Sequence, residues 1–276
     1  MTGSIRHTAA GIFLLWLSLL THSVLAAPDS EPLPFWLPSD ENSQGLIDHS
    51  EWQTVLDHNL IDQHPSGINR FDYAGISTAD KQLLARYLER MQRLDPRRFN
   101  RAQQKAYWIN LYNALTVDLI VKHYPVESIT ELGESFFRFG PWDDEIAQVA
   151  GQTLSLNDIE HRILRPIFRD NRIHYAVNCA SLGCPNLAAQ VYRAGELDRQ
   201  LDNAARDYIN HPRGVEFREG VLWVSSIYTW YREDFGGSDQ ALLEHLQRYA
   251  GAPLTQKLSQ YRGSIKDHYD WALNSP

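Results

Sequence analysis

The stretch over residues 101–124 constrains this chain more than any other. Trp108, Ile109, Tyr112, Leu115, Leu119 and Ile120 recur through it at helical spacing and leave little of its surface polar. A helix this apolar has to be surrounded by protein, so the spacing predicts a core element about which the rest of the chain packs. Asn110 and Asn113 lie three apart, on neighbouring positions of that helix. Amides buried there need partners, and the expected role is to hold loop backbone, with contact to a substrate as the alternative.

Other helices follow from period and punctuation. Residues 78–94 carry Leu83, Leu84, Tyr87, Leu88 and Met91 at helical spacing, with Thr78 as candidate N-cap and Pro96 closing the segment. Further helices are expected over 197–210 and 240–249. Strands are fewer: 146–150 with 153–154 around Gly151-Gln152, 173–178, 215–217, and 221–224 across Glu219-Gly220. Helices dominate the first half and strands gather in the second. The fold class this predicts is α+β: a helix-rich single domain with a small, mainly antiparallel sheet.

The N-terminus speaks for export. Arg6 precedes the apolar run GIFLLWLSLL, and Val24-Leu25-Ala26 places small residues where a signal peptidase reads them. The expected organisation is a signal peptide over 1–26, a disordered tail or linker over 27–45 and one globular domain over 46–276. The tail is rich in Pro, Ser and acids, a composition that cannot order itself alone, although Phe35 and Trp36 are candidates for attachment to the body. The apolar run is shorter than the roughly 20 residues a membrane span needs, so no stable span is expected once the leader is removed. A periplasmic or secreted location follows from this reading. The formal charge of −8 argues against nucleic acid as a partner, because phosphate binding needs clustered Lys and Arg.

Chemistry concentrates in two segments. Over 156–165, Ser155 and Asp158 form a capping-box pattern and Pro166 discourages continuation. Leu156, Ile159, Ile163 and Leu164 share one arc of the helix, His161, Arg162 and Arg165 fall opposite, and Glu160 lands inside the apolar arc. A carboxylate there loses several kcal/mol of hydration unless strong donors meet it. Glu160 therefore needs a partner, either in a structural ion pair or as the group that orients a histidine.

Residues 173–187, IHYAVNCASLGCPNL, read as a buried strand giving way at Cys179 to a loop of Ala180, Ser181, Gly183 and Pro185. His174 inside that strand needs a hydrogen-bonding partner, and Glu160 is the nearest candidate. Cys179 permits two readings. It is a free nucleophile beside an imidazole, or it closes a disulfide with Cys184, the only other thiol in the chain, for roughly 2 kcal/mol. A fully extended run from His174 to Cys179 would separate their backbones by roughly 16 Å, so a dyad requires a bend. Otherwise His161 is the alternative base. Trp230, Tyr231 and Asp234 follow the last expected strand and are candidate cleft walls. No zinc spacing, Gly-rich phosphate loop or other cofactor motif stands in the chain, so neither metal nor cofactor is expected.

At these residues the chain resembles the domain of unknown function 547 family. The resemblance runs over roughly 52–274 and is carried by AYWINLYNALT (106–116), LSLNDIEHRILR (154–165), IHYAVNCASLGCP (173–185), WYREDFG (230–236) and YDWALN (269–274). The family pattern has a Glu-His pair, a His and a Cys where this chain has Glu160, His161, His174 and Cys179; Cys184 is less regular in it. The resemblance implies a thiol hydrolase or acyltransferase, papain-like or transglutaminase-like in site arrangement, although the chain order Glu, His, Cys differs from the Cys-first order of papain.

The function expected from the residues is attack by Cys179 on a peptide or amide carbonyl. His174 moves the proton, Glu160 fixes the imidazole, and loop amides around Ser181 meet the oxyanion. A cell-wall-derived substrate suits the compartment. The alternative is a non-catalytic envelope binding module in which a Cys179–Cys184 bridge pins a recognition loop.

Overall fold

The computed structural model describes residues 30–133 and 140–276. The leader expected over 1–26 lies outside the described residues. Helices α1 (Ser50–Asn59), α2 (Thr78–Arg93) and α3 (Arg101–His123) make up the first half, with the two-residue strands β1 (Leu60–Ile61) and β2 (Arg70–Phe71) between α1 and α2. The hairpin β3 (Ala147–Val149) and β4 (Gln152–Leu154) follows, then a π-helical turn Asp158–Leu164 running directly into α4 (Arg165–Phe168). Helix α5 (Leu197–Ile209) leads to β5 (Val215–Arg218) and β6 (Val221–Ser225). Then come α6 (Ile227–Trp230), α7 (Asp239–Tyr249), α8 (Ala252–Gln260) and β7 (Ile265–His268). The architecture is α+β, with antiparallel pairs β1–β2, β3–β4 and β5–β6 and one parallel pair, β6–β7.

Helix α3 is the core element its composition predicts. Ala106 through Val117 are all buried, and Asn100 caps it by accepting from the Gln103 amide. The expected N-cap of α2 is one residue early in the structure: Ser77 accepts from the Asp80 amide, because its backbone is extended while Thr78 is already helical.

Three expectations are corrected. The segment over 27–45 is not a free tail from Ser30 onward. Trp36 is buried with its ring edge on Trp108, 4.9 Å between centroids, and Phe35 lies under the Arg97 guanidinium at 3.9 Å. Composition judged the segment alone, whereas two aromatics anchor it to a surface already formed.

Pro166 does not end its helix. A proline removes the hydrogen bond to the carbonyl four residues back, here Arg162, and that carbonyl instead accepts from the Leu33 amide at 3.0 Å. The N-terminal strap and the π turn thus complete each other.

The run over 173–178 is not a strand. Asp170 caps a 3₁₀ turn, Asn171–Tyr175, by accepting from the Arg172 amide, and 177–179 follow without regular secondary structure. A short buried apolar run has no period that separates strand from helical turn. Among the described residues no helix is long and apolar enough to cross a membrane.

Candidate functional site

The site has two ends joined by α3. Asn113 donates from its amide to Ala176 O at 2.9 Å and accepts from the Asn178 backbone at 2.8 Å, fastening the chain between His174 and Cys179 as a neighbouring strand would. Asn110 does the same to Tyr192, with bonds of 2.8 and 3.0 Å. Both amides hold loop backbone.

At the imidazole end, Glu160 and His174 are buried. The Tyr112 and Tyr231 phenols lie near the Glu160 carboxylate, and burial followed by that carboxylate's charge pushes both well above their ordinary pKa. His174 Nδ1 lies 3.8 Å from Glu160 Oε1, within ion-pair range but too far for a hydrogen bond, so among the described residues this buried nitrogen has no hydrogen-bond partner. Its Nε2 sits 2.7 Å from Asp234 Oδ2, and the ring stacks on Tyr231 at 4.1 Å.

Arg165 grips the same Asp234 with a fork, Nε to Oδ2 at 2.6 Å and Nη2 to Oδ1 at 3.2 Å. Burial opposes ionisation of Asp234, but the bonds from His174 and Arg165 outweigh it and hold the carboxyl well below the usual carboxylate range. His174 thus sits between a fixed anion, Asp234, on one side and the buried Glu160 carboxylate on the other.

His161 was expected on the polar face of its helix. It is buried, with Nδ1 3.2 Å from Arg165 Nη1. The π turn explains the shift, since its wider hydrogen-bonding ring advances less around the axis per residue than the about 100° of an α-helix. Burial, together with Arg165 and against the charge of Glu160, lowers its pKa.

At the sulfur end, Cys179 and Cys184 form a disulfide with Cα atoms 6.2 Å apart. The Cys179 amide donates to Cys184 Sγ at 2.9 Å, and Ala180 takes a left-handed backbone, φ 58°, with its amide on Asn178 Oδ1. The Tyr269 hydroxyl stands 3.0 Å from Cys179 Sγ and 3.1 Å from Cys184 Sγ, and the buried Ser181 hydroxyl donates to it at 3.0 Å. Trp230 packs on Tyr269 and Trp271 beside this group.

No hydrogen bond joins Cys179 Sγ to either imidazole among the described residues. The loop amides expected to meet an oxyanion are engaged as well: Leu182 donates to Ala272 O and Gly183 to Asp270 O, each at 2.8 Å. The C-terminal segment occupies the place where a substrate carbonyl was expected.

Asp234, Arg165 and Tyr112 belong to the group around His174 more firmly than sequence reasoning had them. Asp234 was a cleft wall, Arg165 lay opposite the apolar arc, and Tyr112 was core; only the acid placed in the apolar arc pointed toward them. Among the described residues no group of three or more His, Cys, Asp and Glu side chains is arranged to hold a metal.

An α+β chain with a buried carboxylate-imidazole group next to a bridged loop defines the class that fold and site establish. Residues 96–209 match the family described as "Protein of unknown function, DUF547", a match that supports assignment to that family. The match is narrower than the resemblance read over 52–274: it holds the motifs around Asn110, Glu160 and Cys179 and stops short of those around Asp234 and Tyr269. Comparison with curated proteins and with solved structures gave no match.

Proposed function

We propose that the protein is a non-catalytic binding module of the cell envelope, in which the Cys179–Cys184 bridge pins a recognition loop. The observation that carries this reading is the setting of Cys179 Sγ: it is bonded to Cys184 and touches Tyr269 and Ser181 rather than an imidazole. A nucleophile needs a base within hydrogen-bond reach, and here the base is committed to Asp234. Downstream of the bridge, Asn186, Ala188, Gln190 and Tyr192 line one wall of a groove of about 850 Å³, opposite α5. That groove is the ligand site of this reading, and a peptide or amide-containing ligand derived from the cell wall suits its mixed polar lining.

Intact mass before and after reduction tests the proposal: one bridge makes the native protein about 2 Da lighter, on simple stoichiometry. A native mass equal to the reduced mass, with Cys179 modified by iodoacetamide at neutral pH, would sink it.

A second reading, a thiol hydrolase or acyltransferase released by reduction, is favoured by one observation. Cys179 is partly exposed whereas Cys184 is buried, so reduction presents the sulfur that the family pattern carries. Its test is amide hydrolysis or acyl transfer by the reduced protein that Cys179→Ser abolishes and Cys184→Ser does not.

A further inference from the structure

Among the described residues, two arginines beside the bridged loop have no carboxylate partner. Arg213 leaves the turn between α5 and β5, where Gly214 is obligatory because a Cβ there would lie 2.1 Å from Tyr208 O. The turn folds the guanidinium back over the Tyr208 ring at 5.4 Å, with Nη1 on Leu182 O at 3.2 Å and Nη2 on Asn186 Oδ1 at 2.6 Å. Among the described residues Arg70, on β2, donates from its side chain to Ser275 O alone, at 3.5 Å.

Both side chains are partly buried, both bury an Nε that has no hydrogen-bond partner, and neither lies within 4.0 Å of a carboxylate among the described residues. Asn186 ties the two regions together. Its Oδ1 accepts from Arg213 and from the Asn69 backbone at 2.9 Å, while its Nδ2 donates to Gly67 O at 3.1 Å.

A guanidinium drawn out of water without a counter-charge is costly, and a second one nearby adds repulsion. Burial pushes the Arg213 guanidinium down to about 10, with the neighbouring Arg70 adding to the fall. Elsewhere in this chain buried cations are paired, as Arg165 is with Asp234 and Lys105 with Asp170. The anion missing at this corner is one that a ligand supplies. Arg213, Asn186, Asn69 and His211 all line the groove of about 850 Å³, so the corner opens onto it.

We infer that Arg213 forms an oxyanion receptor at one end of this groove, taking a carboxylate or phosphate group of the ligand in the planar fork that a guanidinium presents, with Arg70, next to the groove-lining Asn69, adding its charge from outside the lining. The inference rests on the groove being the ligand site of the binding-module reading. Because Arg213 also holds Leu182 O, inside the bridged loop, an anion bound here steadies that loop.

The experiment is thermal unfolding of the full chain at pH 7, titrated with sodium phosphate and with sodium acetate against sodium chloride at equal ionic strength. A bound anion raises the midpoint in proportion to the logarithm of its concentration once that exceeds the dissociation constant. The expected result is a rise above chloride for at least one anion. Arg70→Gln shifts the titration to at least about tenfold higher concentration, whereas Arg262→Gln, at an exposed arginine just past the end of α8, leaves it in place. A response to both anions assigns a carboxylate ligand group, and a response to phosphate alone assigns a phosphoryl group. The inference is overturned if neither anion exceeds chloride, or if Arg70→Gln titrates like the parent protein. Should Arg70→Gln not fold, the parent titration and Arg70→Lys decide. Failure here leaves the mass test of the bridge untouched, so the two readings fall separately.

Discussion

Cys179 and His174 stand five residues apart and share the same clamp from Asn113, yet their surroundings are built from different materials. Around His174 are ionisable groups drawn out of water: Asp234 and Glu160 flank the ring, Arg165 holds Asp234, and His161 contacts Arg165. Around Cys179 are neutral hydroxyls, a second sulfur and backbone amides that already have acceptors. The contrast teaches that neighbours in sequence, even in one motif, need not act on one another. A buried charge group maintains itself by mutual pairing, whereas a covalent loop maintains itself by its bond.

The largest effect should come from breaking the charged end. Arg165→Met leaves Asp234 with one of its three bonds, that to His174, and takes from His161 its Arg165 contact. The expected loss is about 3–5 kcal/mol of unfolding free energy, measured by urea denaturation, the usual cost of removing one partner from a buried pair. A loss under about 1 kcal/mol would mean that the charges around His174 are not a coupled unit.

Next comes acid. His245 bonds Tyr175 and Asn171 behind His174, and burial, with Arg248 and His174 adding, lowers it to about 4; His161 is lowered too. Between their ordinary pKa of about 6.5 and the folded values, the unfolded chain takes protons that the folded one refuses, so stability rises with pH across that window. On acidification from pH 6.5 to 4 the loss should reach about 3 kcal/mol for His245 alone, and His245→Gln should flatten that part of the profile. Asp234, held below the ordinary range, contributes fully above about pH 4 and is lost only as pH falls further. A profile that is level from pH 6.5 to 4 contradicts the burial argument.

Reduction of the bridge should be milder. A loop this short removes little entropy from the unfolded chain, so Cys179→Ser with Cys184→Ser should cost about 2 kcal/mol and leave the acid profile unchanged. A change in that profile would show the two ends to be linked after all.

The sequence was legible where a physical pattern is local. The apolar helix over 101–124 became α3 to within a residue, and the turns at Gly151 and Glu219-Gly220 became the β3–β4 and β5–β6 hairpins. Glu160 announced its need for partners by lying in an apolar arc. What could not be read was set by distance along the chain or by an unusual local geometry.

Arg165 and Asp234 are 69 residues apart, and Leu33 meets Arg162 across most of the first half of the chain. The π turn rotates His161 inward against a wheel drawn for an α-helix, and β7 pairs parallel to β6 although 264–268 has neither an apolar run nor turn residues matched to that strand. The family match carries Glu160, His174 and Cys179 but supplies no activity for them.

The account rests on the sulfur and the imidazole being separate, and alkylation of the reduced protein tests this most directly. With the bridge opened, iodoacetamide should modify Cys179 at the same rate, and with the same dependence on pH, whether residue 174 is the native His174 or carries His174→Gln. A tenfold or greater slowing in the His174→Gln protein would show that the imidazole activates the thiol and would contradict the separation of the two ends.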